Sequence, residues 1–195
     1  IQNHGADPER VFATGASSGA CMTHALLASY PDVFAGGAVL AGVPAGFWPQ
    51  GTECSVCGQN PPDNSPQQWG DLVRNASNNW SGPWPRVQLW HGTADGTLNY
   101  SNLGEEVDQW TNVWGVSGGT SASGPSGWAR TVYESGGVVA VEVNIGDQKP
   151  HDLTGLGLWP DVVRFFGLDQ DPPQGTGGAG GTGGAETGGA ETGGE

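Results

Sequence analysis

Val11-Phe12-Ala13-Thr14-Gly15-Ala16-Ser17-Ser18-Gly19-Ala20 is the stretch on which the fold turns. The β-branched and aromatic run at 11–14 predicts a strand. Across residues 20–30 apolar side chains recur near the 3.6-residue period of a helix, which Pro31 closes. Between the two, Gly15-Ala16-Ser17-Ser18-Gly19 fits the pattern G-x-S-x-G, in the strand-before, helix-after context that gives this pattern meaning. A tight turn of this kind holds its central Ser in a strained backbone conformation with the hydroxyl outward. The flanking glycines leave out Cβ atoms that would collide with the neighbouring chain. The Ser18 amide, at the helix N-terminus, can then donate to an oxyanion formed on an attacked carbonyl.

Two other readings of this turn compete. One is an ordinary Gly-rich strand-to-helix turn with an idle Ser. The other is the turn by which short-chain dehydrogenases cradle a dinucleotide pyrophosphate. Against the second, Cys21 stands where that fingerprint has its last Gly, and the single Lys, Lys149, has no Tyr at the required spacing.

Outward from the turn, short apolar runs alternate with helical patterns, which points to a parallel sheet flanked by helices. Strands are expected at 38–41, 87–90 and 138–145, and helices at 66–76, 102–114 and 160–166. Ser65 and Ser101 stand where they can cap the first two of these helices, and Pro160 sits in the first turn of the third. Residues 43–85, rich in Pro and Trp, read as an excursion over the sheet edge around the helix at 66–76. From Gly175 the sequence is nearly all Gly, Thr, Ala and Glu, with Gly-Gly-Ala-Glu-Thr repeated. It holds no side chain large enough to offset ordering entropy, so residues 1–172 are expected as one domain and 173–195 as a disordered tether. A tether of this kind fits either a solubilising tail or a link to another module, such as one that binds carbohydrate.

A Ser hydroxyl is a poor nucleophile at neutral pH. It needs an imidazole base, and the imidazole needs a carboxylate to fix its tautomer. In sheets that carry G-x-S-x-G, those partners follow later strands in the chain order Ser, acid, His. Asp95 lies in His91-Gly92-Thr93-Ala94-Asp95-Gly96, a loop at the end of the strand at 87–90, and His151 follows the strand at 138–145. The candidate triad is therefore Ser17, Asp95 and His151. His4 precedes the first strand, His24 is on the helix after the nucleophile, and His91 would break the chain order and is expected to bond loop backbone. The bland alternatives are a turn-capping role for Asp95 and a surface-loop role for His151.

Composition narrows the partners. Six basic against 20 acidic residues give a net charge of -14 in 195 residues, which argues against binding to nucleic acid or to an anionic membrane. No apolar run approaches the ~20 residues needed to span a bilayer. Three Cys leave Cys54-Ser55-Val56-Cys57 as half a zinc site without a second half, so neither metal nor cofactor is expected. Cys21, Cys54 and Cys57 are an odd number, so one of them is left over to pair with a further segment if disulfides form. Asn-x-Ser sequons begin at Asn75, Asn79 and Asn99, and matter only in a glycosylating host. Abundant Gly, Asn, Ser, Thr and Trp with one Lys resembles the residue economy of secreted proteins that act on polysaccharide.

Beyond the turn, the blocks Tyr30-Pro31-Asp32-Val33-Phe34, Pro66-Gln67-Gln68-Trp69-Gly70-Asp71-Leu72-Val73-Arg74, Gly82-Pro83-Trp84-Pro85-Arg86 and Leu89-Trp90-His91-Gly92-Thr93-Ala94-Asp95-Gly96 resemble the secreted carbohydrate esterases related to polyhydroxybutyrate depolymerases. That group includes acetylxylan and feruloyl esterases. The resemblance implies an α/β-hydrolase fold, extracellular location, Ser17 as nucleophile, Asp95 as acid, His151 as base and Ser18 as one oxyanion amide. It implies acetylated xylan as substrate, with feruloyl esters or polyhydroxyalkanoate as alternatives. Trp69 and Trp48 are candidates for a sugar-facing platform, beside core or loop packing, the commoner role of any one Trp. Lys149-Pro150-His151 departs from the Gly-x-Gly-His approach usual in the group. The group's earlier strands and second oxyanion donor have no counterpart in these residues, so a fragment with feeble turnover is expected. The alternative of another class is a non-catalytic, polysaccharide-binding module.

Overall fold

The computed structural model describes residues 6–47, 61–78 and 80–170. His4, Trp48, Cys54, Cys57, the sequon at Asn79 and the tether at 173–195 lie outside the described residues. A short 3-10 turn at Pro8–Arg10, capped by Asp7, leads into β1 (Phe12–Ala16), α1 (Ser18–Ser29) and β2 (Gly36–Leu40). Then follow α2 (Pro66–Ala76), β3 (Arg86–Gly92), α3 (Asn102–Trp114), β4 (Thr120–Ala122), β5 (Trp128–Ser135), β6 (Val138–Gly146) and α4 (Trp159–Phe166). The strands form one sheet in the order β1-β2-β3-β6-β5-β4. Neighbours from β1 to β6 are parallel, with Ala16 beside Leu40, Leu40 beside Trp90 and Gly92 beside Gly146. The C-terminal ends of these four strands therefore finish along one rim, where loops from distant parts of the chain meet.

The parallel sheet read from the sequence covers this part only. β5 pairs antiparallel with β6, and β4 with β5, so the sheet is mixed. The β5–β6 hairpin turns through Gly136 and Gly137, at φ 58° and 81°, the left-handed pair that a two-residue hairpin of the sheet's twist demands. The strand was hidden because its inward residue is Arg130, which breaks the apolar alternation on which strand recognition rests.

Alternation along the central strands gives each face its own core. Val39, Val87, Leu89, Val141 and Val143 pack with Leu27 of α1, Val73 of α2 and Trp110 of α3. Ala38, Leu40 and Trp90 pack on the other face with Leu153, Leu158, Val162 and Phe165. Beside this second core lies a buried polar cluster. Glu142 takes hydrogen bonds from Gln88 at 2.7 Å and from Arg164 at 2.9 Å, and Arg130 bonds Asn144 at 2.8 Å and Asp161 at 2.6 Å. The cluster ties β5 and α4 to β3 and β6. Ser65 caps α2 as expected, in a capping box with Gln68, an arrangement worth ~1 kcal/mol. Ser101 stands at the start of α3 but forms no side-chain cap bond there. No helix among the described residues is long and apolar enough to cross a membrane.

Candidate active site

β1 ends at Ala16, and the chain reverses into α1 through Ser17 with φ 55° and ψ -120°. A non-Gly residue in this region stores ~1–3 kcal/mol of strain, held here by surrounding bonds. The Ser17 amide donates to the Leu40 carbonyl at 2.9 Å, and the Ser17 carbonyl accepts the first α-helical bond, from the Cys21 amide at 3.1 Å. Of the two flanking glycines, Gly15 is the one that space requires: a Cβ there would stand 2.4 Å from the Gly19 carbonyl. A Cβ on Gly19 would meet nothing, so the expected collision holds for one side of the turn only. Ser18 is the first residue of α1, and its amide is among those with no intrahelical acceptor.

The loops after β3 and β6 are joined to each other before they reach Ser17. The Thr93 amide donates to the Gly146 carbonyl at 2.9 Å and the Ala94 amide to the Lys149 carbonyl at 3.1 Å. The Gln148 amide donates back to Thr93 Oγ1 at 2.8 Å. Gly92 lets the loops approach this closely, since a Cβ on it would lie 2.2 Å from the Lys149 carbonyl oxygen. Asp95 then takes amide bonds from Thr97 at 2.8 Å and Leu98 at 2.9 Å on Oδ1. Its Oδ2 takes His151 Nδ1–H at 2.8 Å. Nε2 of the same ring lies 2.9 Å from Ser17 Oγ.

The Asp95 side chain is fully buried, whereas that of His151 is 21% exposed. Burial alone would raise the Asp95 pKa. The bonds from His91, His151 and the Thr97 and Leu98 amides outweigh it and hold the carboxyl well below the usual range. With Asp95 anionic, the His151 proton belongs on Nδ1, which leaves Nε2 free to accept the Ser17 hydroxyl proton. Ser17, Asp95 and His151 are thus brought into one hydrogen-bonded line, and Ser18 stands beside it.

The other candidates are placed differently. Trp69 is buried, its indole N–H bonded to Glu105 and its ring packed on Phe47, so it presents no open face to a ligand. His24 is enclosed between Glu106 and Trp110. His91 bonds the Leu98 carbonyl at 3.1 Å, as a loop histidine is expected to, but its Nε2 also lies 3.1 Å from Asp95 Oδ2. Sequence reading missed that second contact; the four-residue spacing of His91 and Asp95 across a Gly-flanked turn was the available signal. A cavity of about 310 Å³ opens beside Ser18, walled mainly by Met22, Ala25, Val43, Pro44 and Ala45. Among the described residues no three His, Cys, Asp or Glu side chains cluster as metal ligands.

An acetylxylan esterase of Coprinopsis cinerea is 43% identical over 180 residues, covering 86% of this chain and 46% of that protein. By descent, this chain is a relative of the acetylxylan and feruloyl esterases. Feruloyl esterase B of Talaromyces funiculosus is 35% identical over 178 residues, covering 86% of the chain and 49% of that enzyme. Among solved structures, acetyl xylan esterase from Aspergillus awamori superposes with a TM-score of 0.78 at 28% identity, covering 86% of this chain and 63% of that one. The fold is that of the α/β-hydrolase esterases. The chain spans about half the length of the curated relatives it matches. No protein-family profile matches it.

Proposed function

We propose that the chain carries the nucleophile, base and acid of a serine carboxylesterase that removes acetyl groups from xylan outside the cell. The observation that carries the reading is a single imidazole with one nitrogen 2.9 Å from Ser17 Oγ and the other 2.8 Å from Asp95 Oδ2. Ser17 Oγ attacks the ester carbonyl carbon while its proton passes to His151 Nε2. The tetrahedral oxyanion faces the Ser18 amide. The tetrahedral intermediate collapses, the bond from its carbon to the sugar oxygen breaks, and His151 gives its proton to that oxygen, which releases the sugar hydroxyl and leaves the acetyl group on Ser17. Water, deprotonated by His151, then attacks that ester; the bond to Ser17 Oγ breaks, His151 returns the proton to Oγ, and the acetyl group leaves as acetate. Acetylxylan as substrate is supported by the names of the relatives, and the extracellular setting by the acidic, Lys-poor composition.

A feruloyl ester is the second reading. The apolar cavity beside Ser18, at about 310 Å³, offers more room than an acetyl group fills. Nitrophenolate release from para-nitrophenyl acetate by the chain and its Ser17→Ala variant tests the chemistry. Catalysis that falls by roughly 10⁴-fold, or to the uncatalysed rate, is expected, and equal rates for the two proteins sink the proposal. Parallel rates on acetylated xylan and methyl ferulate then separate the two substrates.

A further inference from the structure

Trp69 is buried, but other aromatic rings gather on the rim opposite the triad. The loops that enter β1, β2 and β3 meet there around a cavity of about 370 Å³. Trp80 and Trp84, ahead of β3, share it with Phe34, ahead of β2, and all three residues are partly exposed. Phe34 and Trp84 rest on the hydrophobic core, which supports them from behind. Trp80 is held by its own loop. Its amide donates to Ser77 Oγ at 3.3 Å, its indole N–H donates to the Pro83 carbonyl at 3.0 Å, and a Cβ on Gly82 would lie 2.2 Å from the ring. The amides of Ala35 and Arg86 tie the three loops together, donating to the Val11 carbonyl at 2.8 Å and the Ala35 carbonyl at 3.1 Å. Rings held in this way lose little freedom when a ligand arrives.

The polar groups of the cavity select the charge of that ligand. Glu9 and Asp32 are the ionisable residues on its wall; both are exposed, and no Lys or Arg lines it among the described residues. In a chain of net charge -14, an anion such as a nucleotide or a phosphate is repelled from such a place. Carboxylates accept hydrogen bonds from hydroxyl groups, and indole rings offer flat apolar faces. An uncharged ligand with many hydroxyls and an apolar C–H face on each ring satisfies both, and a chain of pyranose sugars is such a ligand. A proline-rich peptide would fill the rings but leave Glu9 and Asp32 without donors.

We propose that this cavity is a second glycan-binding site, which holds a stretch of xylan backbone on the face of the domain away from Ser17. That the glycan is xylan rests on the esterase reading; that the cavity takes a neutral glycan does not. β3, seven residues long, keeps the two rims ~20 Å apart. The sugars bound here are therefore not the ones that react. The site keeps the polymer close, so that its esters meet Ser17 at a raised effective concentration.

Electrophoresis of the full chain through gels that contain soluble xylan stripped of its esters tests the site. Retardation is expected, and it should be as strong after Ser17 has been blocked with a fluorophosphonate. Trp80→Ala, shown to be folded by thermal melting, is expected to bind at least tenfold more weakly, with the rate of Ser17 labelling unchanged. Asp32→Ala, at an exposed position, is the second variant and should weaken retardation severalfold even where Trp80→Ala does not fold. Equal retardation of wild type and variants, or none at all, overturns the proposal. Loss of retardation on blocking Ser17 places the sugar at the triad and overturns it too, as does retardation by polyproline in place of xylan. A chain that neither labels nor hydrolyses an ester removes the esterase reading yet leaves the retardation result standing.

Discussion

Gly92→Ala is the substitution that most sharply separates a placed triad from a chance alignment. Its Cβ would sit 2.2 Å from the Lys149 carbonyl oxygen, where real contacts stay above about 3.0 Å, so the loops of Asp95 and His151 must part by about 0.8 Å. The atom it meets is backbone, held by the Ala94 amide at 3.1 Å, and no rotamer change relieves the clash. Misplacement of a catalytic group by ~1 Å costs roughly 10²-fold in rate, and overpacking of this sort costs ~1–3 kcal/mol in stability. The assay is the second-order rate at which a fluorophosphonate modifies Ser17, followed by intact mass, with thermal unfolding recorded alongside. This rate reports Ser17 activation without requiring full turnover. Gly96→Ala is the control, because a Cβ there meets nothing, and it should label like wild type. A Gly92→Ala chain that is folded and labels as fast as wild type would refute the claim that loop closure at this point sets the distance between base and acid.

Glu142→Leu removes the buried carboxylate that Arg130 meets at 3.2 Å and Arg164 at 2.9 Å, and is expected to cost ~3 kcal/mol, or roughly 6–12 °C in Tm, with the labelling rate of the remaining folded protein unchanged. Asp95→Asn bears on acid stability. Because the folded carboxyl titrates below its unfolded value of ~3.9, its contribution is present above that pH and lost below it, so urea midpoints of variant and wild type should converge as pH falls under about 4. Trp69→Ala empties a buried site and should lower stability by ~3–5 kcal/mol, read by thermal melting, before it alters the affinity for xylo-oligosaccharides measured on folded protein.

The nucleophile turn could be read from sequence because its determinants are local: a strand, a glycine at 15, a Ser, and a helix follow one another, and the structure repeats them in that order. Asp95 and His151 were reachable by chain order, since parallel strands must end on the same rim, and the close loops at Gly92 and Lys149 are that rule made concrete. Long-range chemistry escaped. The inward Arg130 concealed β5, although Gly136-Gly137 announced its hairpin, and nothing local says that Arg130 will meet Asn144 and Asp161. Trp69 illustrates the same limit in reverse. A Trp on an amphipathic helix offers sugar-stacking and core-packing readings alike, and only the positions of Phe47, Leu98 and Glu105 assign it to the interior. The second imidazole at Asp95 depends on how a turn closes, which spacing alone leaves open.

The central claim is that Ser17 is made nucleophilic by His151. Acid quenching of the chain seconds after mixing with para-nitrophenyl acetate, followed by peptide mass spectrometry, tests it most directly. One acetyl group is expected on the peptide bearing Ser17, absent from Ser17→Ala and strongly reduced in His151→Ala. An acetyl group found on another residue, or on Ser17 equally with and without the imidazole of His151, would contradict it.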